Sequence, residues 1–294
     1  MSLPPAPPNA CTPARPAAPA TVARPVALVT GGAKRIGRQI ALTLAAAGHD
    51  IALHCRQSAH EAEETAAELR ALGARAEVFS ADLADEAECR ALVPAVLARL
   101  GRLDAVVNNA SLFEYDDALT AGPAQMNRHW QANTAAPVLL AQALAAHLAE
   151  RVAAHTGQNG QKGPAPQGCV VNLLDQKLWN PNPDYFSYTL SKAALREATV
   201  LLAQALAPAV RVVAVAPGVT LVSGPMTEAE YAQAHQMTPL HYSSTPIDIA
   251  QAVRFLIESR AITGTTLLVD GGQHLAAQSR DVLFMAQATP PLSS

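Results

Sequence analysis

The stretch Val26-Ala27-Leu28-Val29-Thr30-Gly31-Gly32-Ala33-Lys34-Arg35-Ile36-Gly37 decides the fold. Its first five residues read as a strand buried on both faces. The glycines then allow a tight turn, and a helical pattern runs from Ile36 to Ala47 and is closed by Gly48. The alternation continues along the chain. Strands are expected at Ile51 to Cys55, Ala76 to Ser80, Asp104 to Asn108, Cys169 to Leu174, Val210 to Val215 and Thr266 to Val269. Helices are expected over Ala59 to Leu72 and Asp85 to Leu100. Near-continuous apolar strands with helical crossovers indicate a parallel sheet covered on both faces. The expected architecture is one doubly wound, Rossmann-type α/β domain over residues 25–275.

Composition supports that size and narrows the function. The chain has 294 residues, half of them hydrophobic, with a formal net charge of -3, which suits one large globular domain. This balance gives no electrostatic footprint for nucleic acid or an anionic membrane. Cys11, Cys55, Cys89 and Cys169 are scattered and the nine histidines lack ligand spacing, so neither a disulfide frame nor a metal site is expected. No apolar run reaches the ~18 residues of a membrane span, and the start lacks the pattern of a secretory signal. A cytoplasmic enzyme is expected. Residues 1–24 are rich in Pro and Ala and read as a disordered extension. Residues 155–168 read as a surface loop.

Thr30 to Gly37 lies at the first strand-to-helix turn, where a dinucleotide-binding loop belongs. Gly31 permits the turn, Gly37 permits close helix packing, and the first N–H groups of the helix can receive a pyrophosphate. At the end of the second strand, Leu53-His54-Cys55-Arg56-Gln57-Ser58 holds no acid for a ribose 2′-hydroxyl; none comes before Glu61. Arg56 offers a guanidinium for a 2′-phosphate, Ser58 a hydroxyl, and Lys34 or Arg35 further positive charge. The preferred cofactor is NADPH. Farther on, Tyr188 and Lys192 stand four apart and share a helix face, with Asp175 thirteen residues before the tyrosine. The ammonium is expected to lower the phenol pKa from about 10, so that Tyr188 can pass a proton.

With Asn108-Asn109-Ala110, Tyr188-x-x-x-Lys192, Pro217-Gly218 and Asp270-Gly271-Gly272 following the glycine loop in order, the chain resembles the short-chain dehydrogenase/reductase family over residues 25–275. The resemblance implies that Asp82 lies near the adenine and that Asn109 and Ala110 line the cofactor groove. Ile36, His54, Leu83, Pro217 and Gly218 are further cofactor candidates. Lys192 would hold the nicotinamide ribose, and Asn133 would position a proton-relay water beside it. Taken alone, Asp82 reads equally as a turn cap and Asn133 as a buried amide.

Two departures from the family pattern carry more information. Arg35 replaces the usual glycine of the loop, and Asp175 replaces the usual serine. Both resemble the pteridine reductases and bacterial dihydromonapterin reductases. In that branch the arginine reaches substrate and phosphates, and the aspartate joins the tyrosine and lysine in catalysis. Phe113 matches the aromatic that sandwiches a pterin against the nicotinamide, Ser111 the serine that bonds pterin or phosphate, and Tyr185 also fits. The substitutions make chemical sense. A dihydropterin presents a C=N bond, whose nitrogen needs a proton that a buried carboxylic acid can supply. The expected substrate-binding set is Arg35, Ser111, Phe113, Asp175, Tyr185 and Tyr188, with Asp175, Tyr188, Lys192 and Asn133 catalytic. A ketone or quinone reductase, with Asp175 incidental, and a non-catalytic NADP(H) redox sensor are the alternatives. Residues 221–242 match the family's substrate loop, with Met226, Tyr231, Met237, His241 and Tyr242 forming an adaptable lid and His241 or Tyr242 facing substrate. In the tail, 276–294, the run Val282-Leu283-Phe284-Met285 is expected against a neighbouring subunit, since the family is commonly tetrameric.

Overall fold

The computed structural model describes residues 23–159, 167–222 and 226–288. The expected extension up to residue 22, positions 160–166 of the expected surface loop, 223–225 of the substrate loop and the tail end 289–294 lie outside the described residues.

Seven strands form one parallel sheet. In chain order these are β1 (Val26–Val29), β2 (Asp50–Cys55), β3 (Ala76–Ser80), β4 (Ala105–Asn108), β5 (Gly168–Leu173), β6 (Val210–Pro217) and β7 (Thr266–Val269). Their spatial order is β3-β2-β1-β4-β5-β6-β7. Helices α1 (Arg35–Ala46), α2 (Ala59–Ala71) and α3 (Glu86–Leu100) make the early crossovers. Next come α4 (Pro123–Trp130), α5 (Ala136–Asn159), α6 (Phe186–Ala205), α7 (Glu228–Gln236), α8 (Pro246–Glu258) and α9 (Val282–Ala288).

The apolar runs dictate the layering. β1, β2, β4 and β5 are buried at every position, so each strand needs cover on both faces. One face packs Val29, Ile51, Val107 and Val171 under α1, α2 and α8; Ile40, Leu44, Leu69 and Val253 come from those helices. The other packs Leu28, Val106 and Val170 under α3 and α5, through Val96, Leu140 and Leu144. Three of the four cysteines, Cys55, Cys89 and Cys169, are buried and free.

Three expectations about the edges change. Arg24 belongs to the folded body: its guanidinium donates to the carbonyls of Gly73, Ala45 and His49. Its partners come from the end of α1 with the turn after it and from the turn after α2, which no local composition signals. α5 runs to Asn159, inside the expected loop, because its apolar stripe continues to Leu148 and the backbone bonds carry the helix on. The tail is not free either: α9 packs through Val282, Leu283 and Ala286 onto Ala234 of α7 and onto Met226. These residues bury each other within one chain.

Candidate active site

The strand order reverses between β1 and β4, so a crevice opens beyond their carboxyl ends. It holds a cleft of about 590 Å³ that continues into a cavity of about 250 Å³. Arg35, Ile36, Asn109 and Ser111 border both.

The cleft is built on bare backbone. A Cβ at Gly37 would stand 2.2 Å from the Gly31 carbonyl oxygen, so the helix can start this close only with glycine there. Gly31 itself adopts φ +60. Asn109 clamps the loop by donating its amide to the Thr30 and Gly31 carbonyls, at 2.9 and 3.1 Å. Thr30 Oγ1 accepts from the N–H groups of Asn109 and Ala110. His54 grips the same loop. Its Nδ1 accepts from Gly31 N–H at 3.1 Å and its Nε2 faces the Ala81 carbonyl at 3.0 Å, which assigns a neutral ring with the proton on Nε2. Burial pushes its pKa down, in agreement. Both ring nitrogens are therefore committed to protein.

Arg56, Asp82 and Leu83 line the far end of the cleft, and Lys34, Arg35 and Arg128 add positive charge along it. Lys34 is paired with Glu61 at 3.3 Å on the surface. Ser58 does not border the cleft; it sits at the start of α2, where the chain has already turned away. Arg35 holds φ +57, the left-handed conformation that explains the customary glycine at this position. Its Nη2 donates to the Val222 carbonyl at 2.8 Å, tying the loop to the segment beyond β6. A bare-backbone turn, a helix start and a cationic rim suit an extended dinucleotide with an additional phosphate at Arg56.

The cavity carries the titratable groups. Tyr188 and Lys192, both on α6, are buried, and Asp175 ends the segment after β5. Tyr188 Oη donates to Asp175 Oδ2 at 2.9 Å. Asp175 Oδ1 accepts from Lys177 N–H, so the carboxyl also caps the short turn Gln176–Leu178. Enclosure in protein raises the Asp175 pKa, opposed by those two hydrogen bonds and by the Lys177 ammonium. The expected lowering of the Tyr188 pKa is overturned. Burial, then the Asp175 charge and hydrogen bond, push it well above the ordinary phenol value. Lys192 turns elsewhere: its Nζ donates to the Leu173 carbonyl at 2.7 Å and lies 5.8 Å from the tyrosine ring centroid. Burial takes Lys192 down to about 8, with Asp175 opposing.

An aromatic platform forms the neighbouring wall. Phe113 stacks on Tyr185 with centroids 4.2 Å apart and meets Tyr188 edge-on at 4.7 Å. Tyr185 covers one face of Phe113, which remains 41% exposed and borders the cavity. Asn133 lies in a π-helical turn, Gln131–Ala135, of the kind often found at functional sites. Its amide is fully used: it accepts from Leu112 N–H and Ser111 Oγ, and donates to the Leu112 carbonyl and Ser191 Oγ. That side chain braces the 111–112 loop against α6.

A family model described as short chain dehydrogenase matches residues 25–234. The chain belongs to the short-chain dehydrogenase family. It is accordingly an oxidoreductase. Pteridine reductase 1 of Leishmania tarentolae is 32% identical over 287 residues, covering 85% of this chain and 96% of that protein. A Streptomyces violaceoruber protein named for a ketoacyl reductase role in the granaticin polyketide synthase is 35% identical, with 85% and 96% covered. Among solved structures, FolM alternative dihydrofolate reductase 1 of Brucella canis, complexed with NADP, superposes with a TM-score of 0.77 at 39% identity. That match covers 87% of this chain and 97% of the other.

In this short-chain dehydrogenase the fold brings Arg35, Ser111, Phe113, Asp175, Tyr185, Tyr188, Lys192, Pro217 and Gly218 to one cavity. His241 and Tyr242 do not border it. His241 is turned to the Gln236 carbonyl and Tyr242 to Asp248, because the helix α7 carries them past the opening. From the expected lid, Leu221 and Met226 line the cavity; Tyr231 instead bonds the Thr220 carbonyl, and Met237 packs behind Met226. Sequence reasoning missed Lys177, Gln278, Asp281, Val282 and Leu283, all cavity-lining. The only trace was an apolar pair, Val282-Leu283, directly after the charged Arg280-Asp281.

Proposed function

We propose that the protein reduces a dihydropterin of the dihydrobiopterin or dihydromonapterin kind to the tetrahydropterin, using NADPH. One observation carries this reading: a half-buried carboxyl lining the cavity, Asp175, bonded to Tyr188 at 2.9 Å beside a half-open aromatic face, Phe113. NADPH supplies the hydride to the carbon of the C=N bond, and the ring nitrogen takes a proton, so the bond gains two hydrogens. Asp175 is placed to give that proton, and its raised pKa keeps the acid form available. Tyr188, donating to Oδ2, holds the carboxyl in place, and water entering from the open side of the cavity returns the proton. Lys192 has one ammonium hydrogen on Leu173 and others free for the ribose hydroxyls. Phe113 supports a flat heterocycle, and Arg56 supports selection of the 2′-phosphate. The neighbouring FolM complex, crystallised with NADP, agrees with that cofactor.

The ketoacyl reductase relative at 35% identity favours a second reading, reduction of a ketone. A ketone needs a hydroxyl to hold its oxygen, and position 175 carries an acid instead. The deciding assay is NADPH oxidation with dihydrobiopterin and dihydromonapterin against a panel of ketones and quinones. Pterin turnover is expected. Turnover of a ketone with none of any pterin sinks the proposal, and tight NADPH binding without any turnover points to a redox sensor. Asp175→Ser should depress pterin reduction far more than NADPH affinity; equal loss of both would make the aspartate structural.

A further inference from the structure

Lys177 is unusual for its position. The residue is 3% exposed, two places after Asp175, and borders the same cavity. Its Nζ donates to the Asp184 main-chain carbonyl at 2.5 Å and lies 5.5 Å from the Tyr185 ring centroid. Among the described residues, the carboxylate within ion-pair distance is Asp281, at 3.4 Å. The Asp184 carboxyl is held by the Arg280 guanidinium through contacts of 2.9 to 3.1 Å, and so does not serve the lysine. Asp281 reaches this place because the C-terminal segment is pinned. Its N–H donates to Asp184 Oδ2 at 2.7 Å, its Oδ1 accepts from Leu283 N–H, and α9 docks behind it.

We propose that Lys177 and Asp281 are a positioning pair for the Asp175 acid, with Asp281 of the C-terminal segment cancelling the ammonium that would otherwise strip Asp175 of its proton. The charges around Asp175 show why the pair is needed. Lys177 stands on its own turn and Lys192 on α6, while Arg35 faces the cavity from α1. The Lys177 and Lys192 ammonium groups favour the carboxylate, which cannot donate. Tyr188 brings no charge and donates into Oδ2. Asp281 is the acid among these groups that borders the cavity, and its charge acts upward on both Asp175 and Tyr188. The acid is thus completed only when the C-terminal segment is docked. The consequence for catalysis rests on Asp175 being the proton donor.

The test is an infrared titration of the Asp175 carboxyl stretch in the full chain, the band being assigned by its loss in Asp175→Asn. Asp281→Asn keeps an oxygen for Leu283 N–H and removes the charge. It should move the Asp175 midpoint down by about one pH unit, a tenfold fall in the protonated fraction above it. Adding Lys177→Met to Asp281→Asn should return the midpoint most of the way, and the alkaline limb of kcat should follow both changes. An unmoved midpoint in Asp281→Asn overturns the pair, as does a downward shift that Lys177→Met fails to reverse. The titration needs no substrate. Failure to reduce any pterin would therefore count against the proposed reaction, whereas a fixed midpoint counts against the pair alone.

Discussion

The cleft and the cavity share a border at Arg35 and Asn109 but are made differently. The cleft is built around close backbone approach: Gly31, Gly37 and Ala110 provide it, and Thr30, His54 and Asn109 spend their polar atoms holding that backbone still. Its elements lie within residues 30–132. The cavity is mostly side chain, gathered from the glycine loop, β5, α6, the end of β6 and the segment before α9. A scaffold of backbone suits a ligand that many enzymes share. A wall of side chains from distant segments suits the part that differs from one reductase to the next.

If the two regions work separately, substitutions in one should leave the readout of the other alone. The largest effect is expected from Tyr188→Phe, which removes the hydroxyl bonded to Asp175. Its kcat should fall roughly 10²–10⁴-fold, the usual worth of general acid–base help, with the NADPH dissociation constant unchanged by fluorescence titration. Weakened NADPH binding in that variant would break the separation. Arg56→Ala should do the reverse. It should weaken NADPH by about 1.5–3 kcal/mol while leaving kcat at saturating cofactor intact, and reduce the preference over NADH. An unchanged preference would remove Arg56 from the site.

The pH profile sharpens the same contrast. Asp175 donates only while protonated, and burial raises its pKa, so kcat should fall as pH rises through that value. Lys192, at about 8, loses its charge in the same direction, so no gain should offset the fall above pH 8. A kcat that rises into the alkaline range would contradict both assignments. NADPH binding should be flat through the Asp175 transition. Smallest is Leu283→Ala, at the edge of the cavity. Helix α9 packs on α7 and Met226 rather than on the sheet, so loosening it should move the melting temperature little while KM for the pterin increases. A large drop in melting temperature would show that the C-terminal segment is part of the main folding unit.

Legibility in the sequence follows the same division. Strand β3, Ala76–Ser80, and strand β7, Thr266–Val269, have the boundaries that their apolar runs indicate, and the other strands differ only at their ends. Gly31 makes the turn and Gly37 the close helix approach that their places in the loop indicate. The Tyr188–Lys192 pair shares a helix as the i, i+4 spacing requires, yet the ammonium goes to Leu173 and the phenol to Asp175. Helical spacing fixes which side chains are neighbours; competing acceptors decide which of them bond. Ser58 and His241 had suitable chemistry and stand outside the site, because the chain direction after β2 and after α7 is a tertiary matter.

The sequence by itself determined the sheet, the glycine loop and the succession of acid, phenol and ammonium along the chain. Those features arise from contacts within a few residues or from burial patterns with a fixed period. Only the tertiary structure decided that the Asn133 side chain braces the 111–112 loop, that Asp175 both caps a turn and faces the cavity, and that Asp281 borders it. Each depends on two segments far apart in sequence arriving within hydrogen-bond reach, such as Lys177 and Asp281 at 3.4 Å, and no spacing rule encodes such a meeting.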